Sequence, residues 1–191
     1  MRILTISIGK VAPLHGAYHP EFTVVPSAIN KLPVSQLTNP NPIYLGVLGL
    51  EGDEQADLSV HGGIEKAVYA YPSEHYDFWN KLLSQERQQT IVLPHGALGE
   101  NLTIAGLLEA DVYIGDCWRI GTVELAVVKW REPCFKFNAK MAFKGAAKAM
   151  VKNAYFGWYL RVLKPGSISA GDLIEVTPGP REISIRSQRP K

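Results

Sequence analysis

Cysteine is scarce in this chain: Cys117 and Cys134 are the two thiols among 191 residues. Two cysteines do not build a disulfide framework, so the sequence implies reduced thiols and a cytoplasmic location. Long apolar runs are lacking as well. Met1 to Gly9 (MRILTISIG) is too short and too strictly alternating for a signal peptide, and no stretch is long enough to cross a bilayer as a helix. No membrane partner is expected. Charge of one sign does not dominate: the formal net charge is +2 and no Lys/Arg block stands out, which gives no footing for nucleic-acid binding. There is no G-x-G-x-x-G or Walker loop, which removes the dinucleotide-binding and NTPase classes.

What is present is mostly strand-forming sequence, in a length that suits one domain. Ile3–Ile8 alternates and stops at Gly9. Pro13–Pro26 is turn-rich, Ser27–Val34 reads as a strand, and Asn39–Pro42 as a loop. Ile43–Leu50 and Val68–Tyr71 are further strands. Gly115-Asp116 and Gly171-Asp172 are turns that launch Cys117–Ile120 and Leu173–Val176, and Thr122–Lys129 continues the series. The fold class is therefore mainly β with short helices, and short strands punctuated by glycine favour a closed barrel with peripheral helices over an open βαβ sheet.

Two segments carry a helical period. The first starts at Ser73 as N-cap, with Phe78/Leu82 and Trp79/Leu83 as i,i+4 apolar pairs. The second runs from Ala139 to Asn153, with Phe143, Ala146, Ala147, Met150 and Val151 as its buried stripe. On its other side Lys140, Lys144, Lys148 and Lys152 recur every fourth residue, as a solvated face or as a docking surface for an acidic partner.

Chemistry concentrates in Trp130–Asn138 (WREPCFKFN), where Cys134 stands between two cations, Arg131 and Lys136. A thiol titrates at about 8.5 without neighbours; cations favour thiolate, the form that attacks electrophiles and ligates soft metals. Pro133 fixes φ and ends the alternating run, which sets Cys134 at a strand end or on a loop. A small buried core thiol is the plain alternative. A second cluster spans Gly49–Gln55 and Val60–Ala67. It is acidic and holds His61, but within it no H-x-x-x-H or C-x-x-C spacing closes a tetrahedral metal site. Gly62 and Gly63 suit a backbone that approaches an anion, with His61 and Lys66 beside them, or a simple tight turn. Gly99-Glu100-Asn101 places a carboxylate and an amide side by side after a turn. His15, His19, His75 and His95 read as surface or helix residues.

Together these segments resemble the MOSC domain family, in particular its bacterial YiiM group. The resemblance is carried by Gly49–Trp79 (GLEGDEQADLSVHGGIEKAVYAYPSEHYDFW), Gly99–Leu102 (GENL) and Arg131–Asn138 (REPCFKFN). It runs in order from about Gly9 to Val176 through Ser27–Lys31, Gly115-Asp116 and Phe156-Gly157-Trp158. It implies a single MOSC domain over 1–191, a closed β-barrel core over about 9–176 and a Pro- and Arg-containing tail over 177–191, where longer YiiM-type chains carry a helical extension. It also implies a pocket for the molybdenum cofactor, a metal-bearing molybdopterin.

By the same resemblance Cys134 is the protein ligand to molybdenum, whereas Cys117 matches no motif. His61, Gly62, Gly63, Glu100, Asn101 and Arg131 are the expected pocket lining; Lys31, Lys66, Lys136 and Asn138 complete the expected cofactor-binding set, and Glu100 or Asp53 is the expected proton source. The activity implied is reduction of small N-hydroxylated compounds such as hydroxylaminopurines. Electrons come from a partner flavoprotein, since the chain has no ferredoxin-like cysteine cluster or flavin motif of its own. The alternative that the family also implies is a sulfur carrier, in which Cys134 takes sulfane sulfur as a persulfide from a PLP-dependent desulfurase; PLP would then belong to the partner.

Overall fold

The computed structural model of the chain describes residues 1–16, 24–56 and 62–188. In chain order its strands are β1 (Arg2–Ile8), β2 (Ala12–His15), β3 (Val24–Ser27), β4 (Leu32–Gln36), β5 (Ile43–Gly46), β6 (Gly49–Leu50), β7 (Val68–Pro72), β8 (Leu102–Ala105), β9 (Cys117–Ile120), β10 (Val123–Trp130), β11 (Trp158–Lys164), β12 (Gly166–Ile168) and β13 (Glu175–Thr177). Helix α1 (Tyr76–Arg87) lies between β7 and β8; α2 (Phe135–Lys140) and α3 (Ala146–Asn153) lie between β10 and β11.

The main sheet has the order β13-β9-β10-β11-β7-β8-β1-β4. β7 and β8 run parallel, which requires a crossover, and α1 supplies it. Its apolar pairs do what their spacing predicts: Trp79 and Leu83 are fully buried against the sheet, and the Trp79 indole donates to the Tyr71 hydroxyl at 2.7 Å. The helix begins one turn later than expected. Ser73–His75 is a 3₁₀ turn, and Ser73 makes no side-chain capping bond.

The expected closed barrel is a curled, open sheet among the described residues, with β4 and β13 as its ladder edges. The gap is crossed by irregular backbone. The Ile3 amide donates to the Asp172 carbonyl at 3.0 Å, the Gly171 amide to the Ile3 carbonyl at 2.8 Å, and the Ile174 amide to the Met1 carbonyl at 3.0 Å. The sheet's concave side holds the core, in which Trp118 and Trp158 meet edge to face at 5.8 Å.

Several elements are shorter than their sequence pattern suggests. Ser27–Val34 is not one strand: β3 ends at Ser27, β4 begins at Leu32, and the residues between form a loop. Ile43–Leu50 folds back at Gly46–Gly49 as a two-strand hairpin. β13 starts at Glu175 rather than Leu173. The turn-rich Pro13–Pro26 stretch overlaps the paired strands β2 and β3, which begin and end one residue beyond it. The single helix expected over Ala139–Asn153 is two helices, α2 and α3, with Ala142 in the left-handed region (φ 44°) between them. Among the described residues no helix is long and apolar enough to cross a membrane.

Candidate functional site

Segments from along the whole described chain converge on one cleft, with a cavity volume of about 100 Å³. The β3–β4 loop brings Ile29 and Lys31, and the segment after β6 brings Asp53 and Gln55. Lys66 comes from the 3₁₀ turn before β7, Tyr69 from β7 and Tyr159 from β11. Asn101 precedes β8, Arg131 and Cys134 come from the β10–α2 connection, and Lys136 from the first turn of α2. Cys134 is the N-cap residue of α2 on extended backbone (φ −115°, ψ −179°), just beyond the strand that Pro133 helps end. Neither Cys134 nor Cys117 is in a disulfide.

Arg131 is 6% exposed. Its guanidinium lies 4.6 Å from the Phe137 ring centre and 5.6 Å from that of Tyr69, and one nitrogen contacts the Met150 sulfur at 3.6 Å. No carboxylate is within ion-pair distance of it among the described residues. Burial pushes the Tyr159 phenol up, with the Arg131 charge opposing, so the phenol stays protonated. Arg131 is held in place by its backbone too: its amide donates to the Gly157 carbonyl at 3.3 Å. Gly157 has φ 61°, and a Cβ there would run into the Ala70 carbonyl, so only glycine keeps β11 this close to β7.

The opposite charges of the cleft form a tight knot. Lys31 pairs with Asp53, both nearly buried. The Asp53 carboxylate also accepts from the Gly9 amide at 2.7 Å and from the Asn101 side-chain amide at 2.9 Å. Asn101 further joins β1 to β7, its Oδ1 accepting from the Tyr69 amide at 3.1 Å and its Nδ2 donating to the Ser7 carbonyl at 3.2 Å. Burial lowers the Lys31 pKa, with Asp53 opposing.

Of the residues expected at the site, Lys31, Asp53, Lys66, Asn101, Arg131, Cys134 and Lys136 line this cleft. Glu100 does not: it is fully buried, and its carboxylate accepts from the Gly96 and Leu98 amides (2.8 and 3.1 Å), the Thr103 hydroxyl (2.8 Å) and the Tyr76 hydroxyl. It pins the Gly96–Glu100 loop, so its place as a proton source is corrected. Asn138 also points elsewhere, its Oδ1 accepting from the Ala147 amide at 2.8 Å and tying α2 to α3. Gly62 and Gly63 sit behind Gln55, whose Oε1 accepts from the Gly63 amide at 2.9 Å. That amide is used inside the chain rather than offered to an anion. His61 lies outside the described residues.

Sequence reasoning missed Tyr69, Tyr159 and Gln55. The two tyrosines carry a signal only in hindsight of pairing, since Tyr159 is registered on Tyr69 across β11 and β7. Of the histidines read as surface or helix residues, His75 does lie in the 3₁₀ turn before α1, but neither it nor His95 is a surface group. His75 is buried with Nε2 2.8 Å from Glu109 and its ring stacked 3.9 Å from Tyr155, and His95 is half-buried with Nδ1 2.6 Å from the Thr5 hydroxyl. Among the described residues no three His, Cys, Asp or Glu side chains gather as a metal site. What the cleft can offer is one soft sulfur ligand beside several cations.

The family model of the MOSC domain matches residues 57–175. The chain is 42% identical over 137 residues to the uncharacterized protein YflK of Bacillus subtilis (strain 168), covering 71% of this chain and 59% of that one, less than two thirds of its length. It is 37% identical over 161 residues to Protein YiiM of Escherichia coli (strain K12), covering 84% and 68% of the two chains. A protein named Reductase from Gibberella moniliformis is 36% identical over 140 residues, which cover 73% of this chain and 24% of that one. The crystal structure of YiiM from Geobacillus stearothermophilus matches with a TM-score of 0.72 at 31% identity, covering 97% of this chain and 80% of the other.

Proposed function

Because the chain belongs to the MOSC domain family, we propose that its cleft serves a molybdenum-cofactor oxidoreductase that reduces N-hydroxylated compounds, hydroxylaminopurines among them, with electrons from a partner flavoprotein. The observation that carries this reading is the meeting, in one cleft, of Cys134 with a buried guanidinium that has no carboxylate partner among the described residues. A buried cation without an anion is costly, and the cost falls when an anion arrives. A relative named as a reductase supports the redox class.

The donor set fits a phosphate-bearing group with a soft metal. Arg131 offers a planar fork suited to phosphate, Lys66 and Lys136 add charge on the cleft wall, and Cys134 is the soft ligand. When bound, the cofactor supplies the two-electron reduction that breaks the N–O bond. The rest falls to the chain. Converting R–NHOH to R–NH₂ and water takes two electrons and two protons, so the cleft must deliver protons where the hydroxyl leaves. With Glu100 sealed, Lys31 takes that place: burial makes its ammonium more acidic than a surface lysine, and Asp53 holds it in position. Tyr159 adds a neutral hydroxyl on the cleft wall, within the field of the Arg131 charge.

Metal and pterin analysis of protein purified from a host that makes the cofactor tests the reading. Stoichiometric molybdenum with a pterin is expected, lost in Cys134→Ser and kept in Cys117→Ser, because a hydroxyl is a far poorer soft-metal ligand than a thiolate. Equal metal content in the two variants overturns the role of Cys134. Molybdenum-free protein with a labile persulfide on Cys134 moves the function to sulfur transfer.

A further inference from the structure

Charge is segregated along this chain. From Pro133 to Gly171 there is no Asp or Glu but there are seven Lys and Arg, so the other residues carry 13 basic against 18 acidic side chains. The column of four lysines is not continuous: Lys140 belongs to α2, half-buried, with its ammonium donating to Asn30 Oδ1 at 2.9 Å. Lys148 and Lys152 remain, four residues apart on α3, both exposed and with no carboxylate in ion-pair distance among the described residues. Like charges at that spacing weaken a helix, and nothing described in the chain offsets them.

These two lysines flank a groove whose apolar floor is Pro133, Ala147 and Val151. Pro133 belongs to the groove, while Glu132 and Cys134 on either side of it face the cleft. The segment is one wall with two sides. The groove therefore begins a single residue from the thiol, and it combines positive rims with an apolar floor. It offers no aromatic ring on which a base could stack, and its cations are lysines rather than the arginines that read base edges or clamp phosphates.

We propose that this groove docks the protein that delivers electrons to the cleft, through an acidic patch with an apolar side chain at its centre. The proposal rests on the reading above, which requires a protein donor, but it needs neither metal nor turnover to be tested. Opposite charge across such a contact speeds encounter and is screened over about 10 Å at 0.1 M salt.

The probe is a fluorescein-labelled helical peptide with two glutamates four residues apart beside a central leucine; an oligothymidylate of similar length is the nucleic-acid arm. With the full chain, fluorescence anisotropy should show peptide binding that weakens as salt rises. Lys148→Glu/Lys152→Glu should weaken it by about tenfold or more, Lys148→Gln/Lys152→Gln by less, and Lys81→Glu on α1 should leave it unchanged. Zero-length carbodiimide coupling should attach the peptide to Lys148 or Lys152, read by peptide mapping. The proposal is overturned if the peptide does not bind, if the charge-reversed protein binds as the wild type does, if coupling maps elsewhere, or if the oligothymidylate binds more tightly. A failed metal analysis with intact docking sinks the cofactor reading alone; the reverse sinks the docking alone.

Discussion

Glu100 and Arg131 are both buried and both charged, yet their surroundings differ in kind. Glu100 accepts four hydrogen bonds from its own loop, β8 and α1, whereas Arg131 lies against two rings and a thioether. Glu100→Gln would turn an acceptor into a donor facing donors, so it should cost about 1–3 kcal/mol of folding stability by urea unfolding, without touching the cleft lining. Arg131→Met keeps the packing and removes the charge. It should leave the stability of the cofactor-free protein unchanged or raised, yet lose about 1.5–3 kcal/mol of cofactor binding. A large fall in melting temperature with full cofactor content would make Arg131 structural. His95 gives a pH test. Burial lowers its pKa from the ordinary 6.5, so the unfolded chain takes up the proton first on acidification. Stability should fall as pH drops from the ordinary value through the folded one, and His95→Gln should flatten that slope. Cys134, Arg131 and Lys136 were legible in the sequence because their relation is local. The bonds of Glu100 were not, although three of its four partners lie within four residues, because the direction in which a turn aims its carboxylate leaves no pattern; that of Lys31 was not, because only the fold brings Asp53 to it.

Among the elements, strands were legible where alternation is long: β1 and β10 lie within two residues of their expected ends at each side. Helix Ala139–Asn153 was misread because the lysine and apolar period runs through Met141–Gly145 without a breaker until Gly145. The break comes from packing. Phe137 is fully buried with its ring 5.6 Å from that of Trp79, and Asn138 bonds the Ala147 amide, so α2 and α3 are each fixed in their own direction. Ala142 takes up the change at φ 44°, where an alanine is strained. Ala142→Gly should relieve that strain by about 1–2 kcal/mol and lose about 0.4–1 kcal/mol through the looser unfolded chain. A small net gain in unfolding free energy is expected; a net loss would mean that the alanine methyl makes packing contacts worth more than the strain.

For the whole molecule, the mainly β class with short helices followed from the sequence, but the number of strands, their ladder order and its open edges did not, because very short strands and pairing partners leave no period. The bonds between Met1–Ile3 and Gly171–Ile174 hold the two ends of the curl. If they make the sheet behave as a closed unit, the Ile3 and Ile174 amides should show hydrogen-exchange protection close to that of β10; early exchange at both would show a sheet that opens at this seam. The same placement sets an order of events in time. β1 is synthesised first, yet Ile6 pairs with Leu102 on one side, and Ile3 waits for Asp172 on the other. β4 follows soon and can pair with one edge of β1, but until the ribosome has added most of the chain the β8 edge and the Ile3 seam stay open, and the nascent protein holds a half-paired apolar strand. Such long-range pairing makes folding slow, on the millisecond-to-second scale, and late rather than progressive. The emerging chain is then a natural client for chaperones that shield a first strand until its neighbours exist.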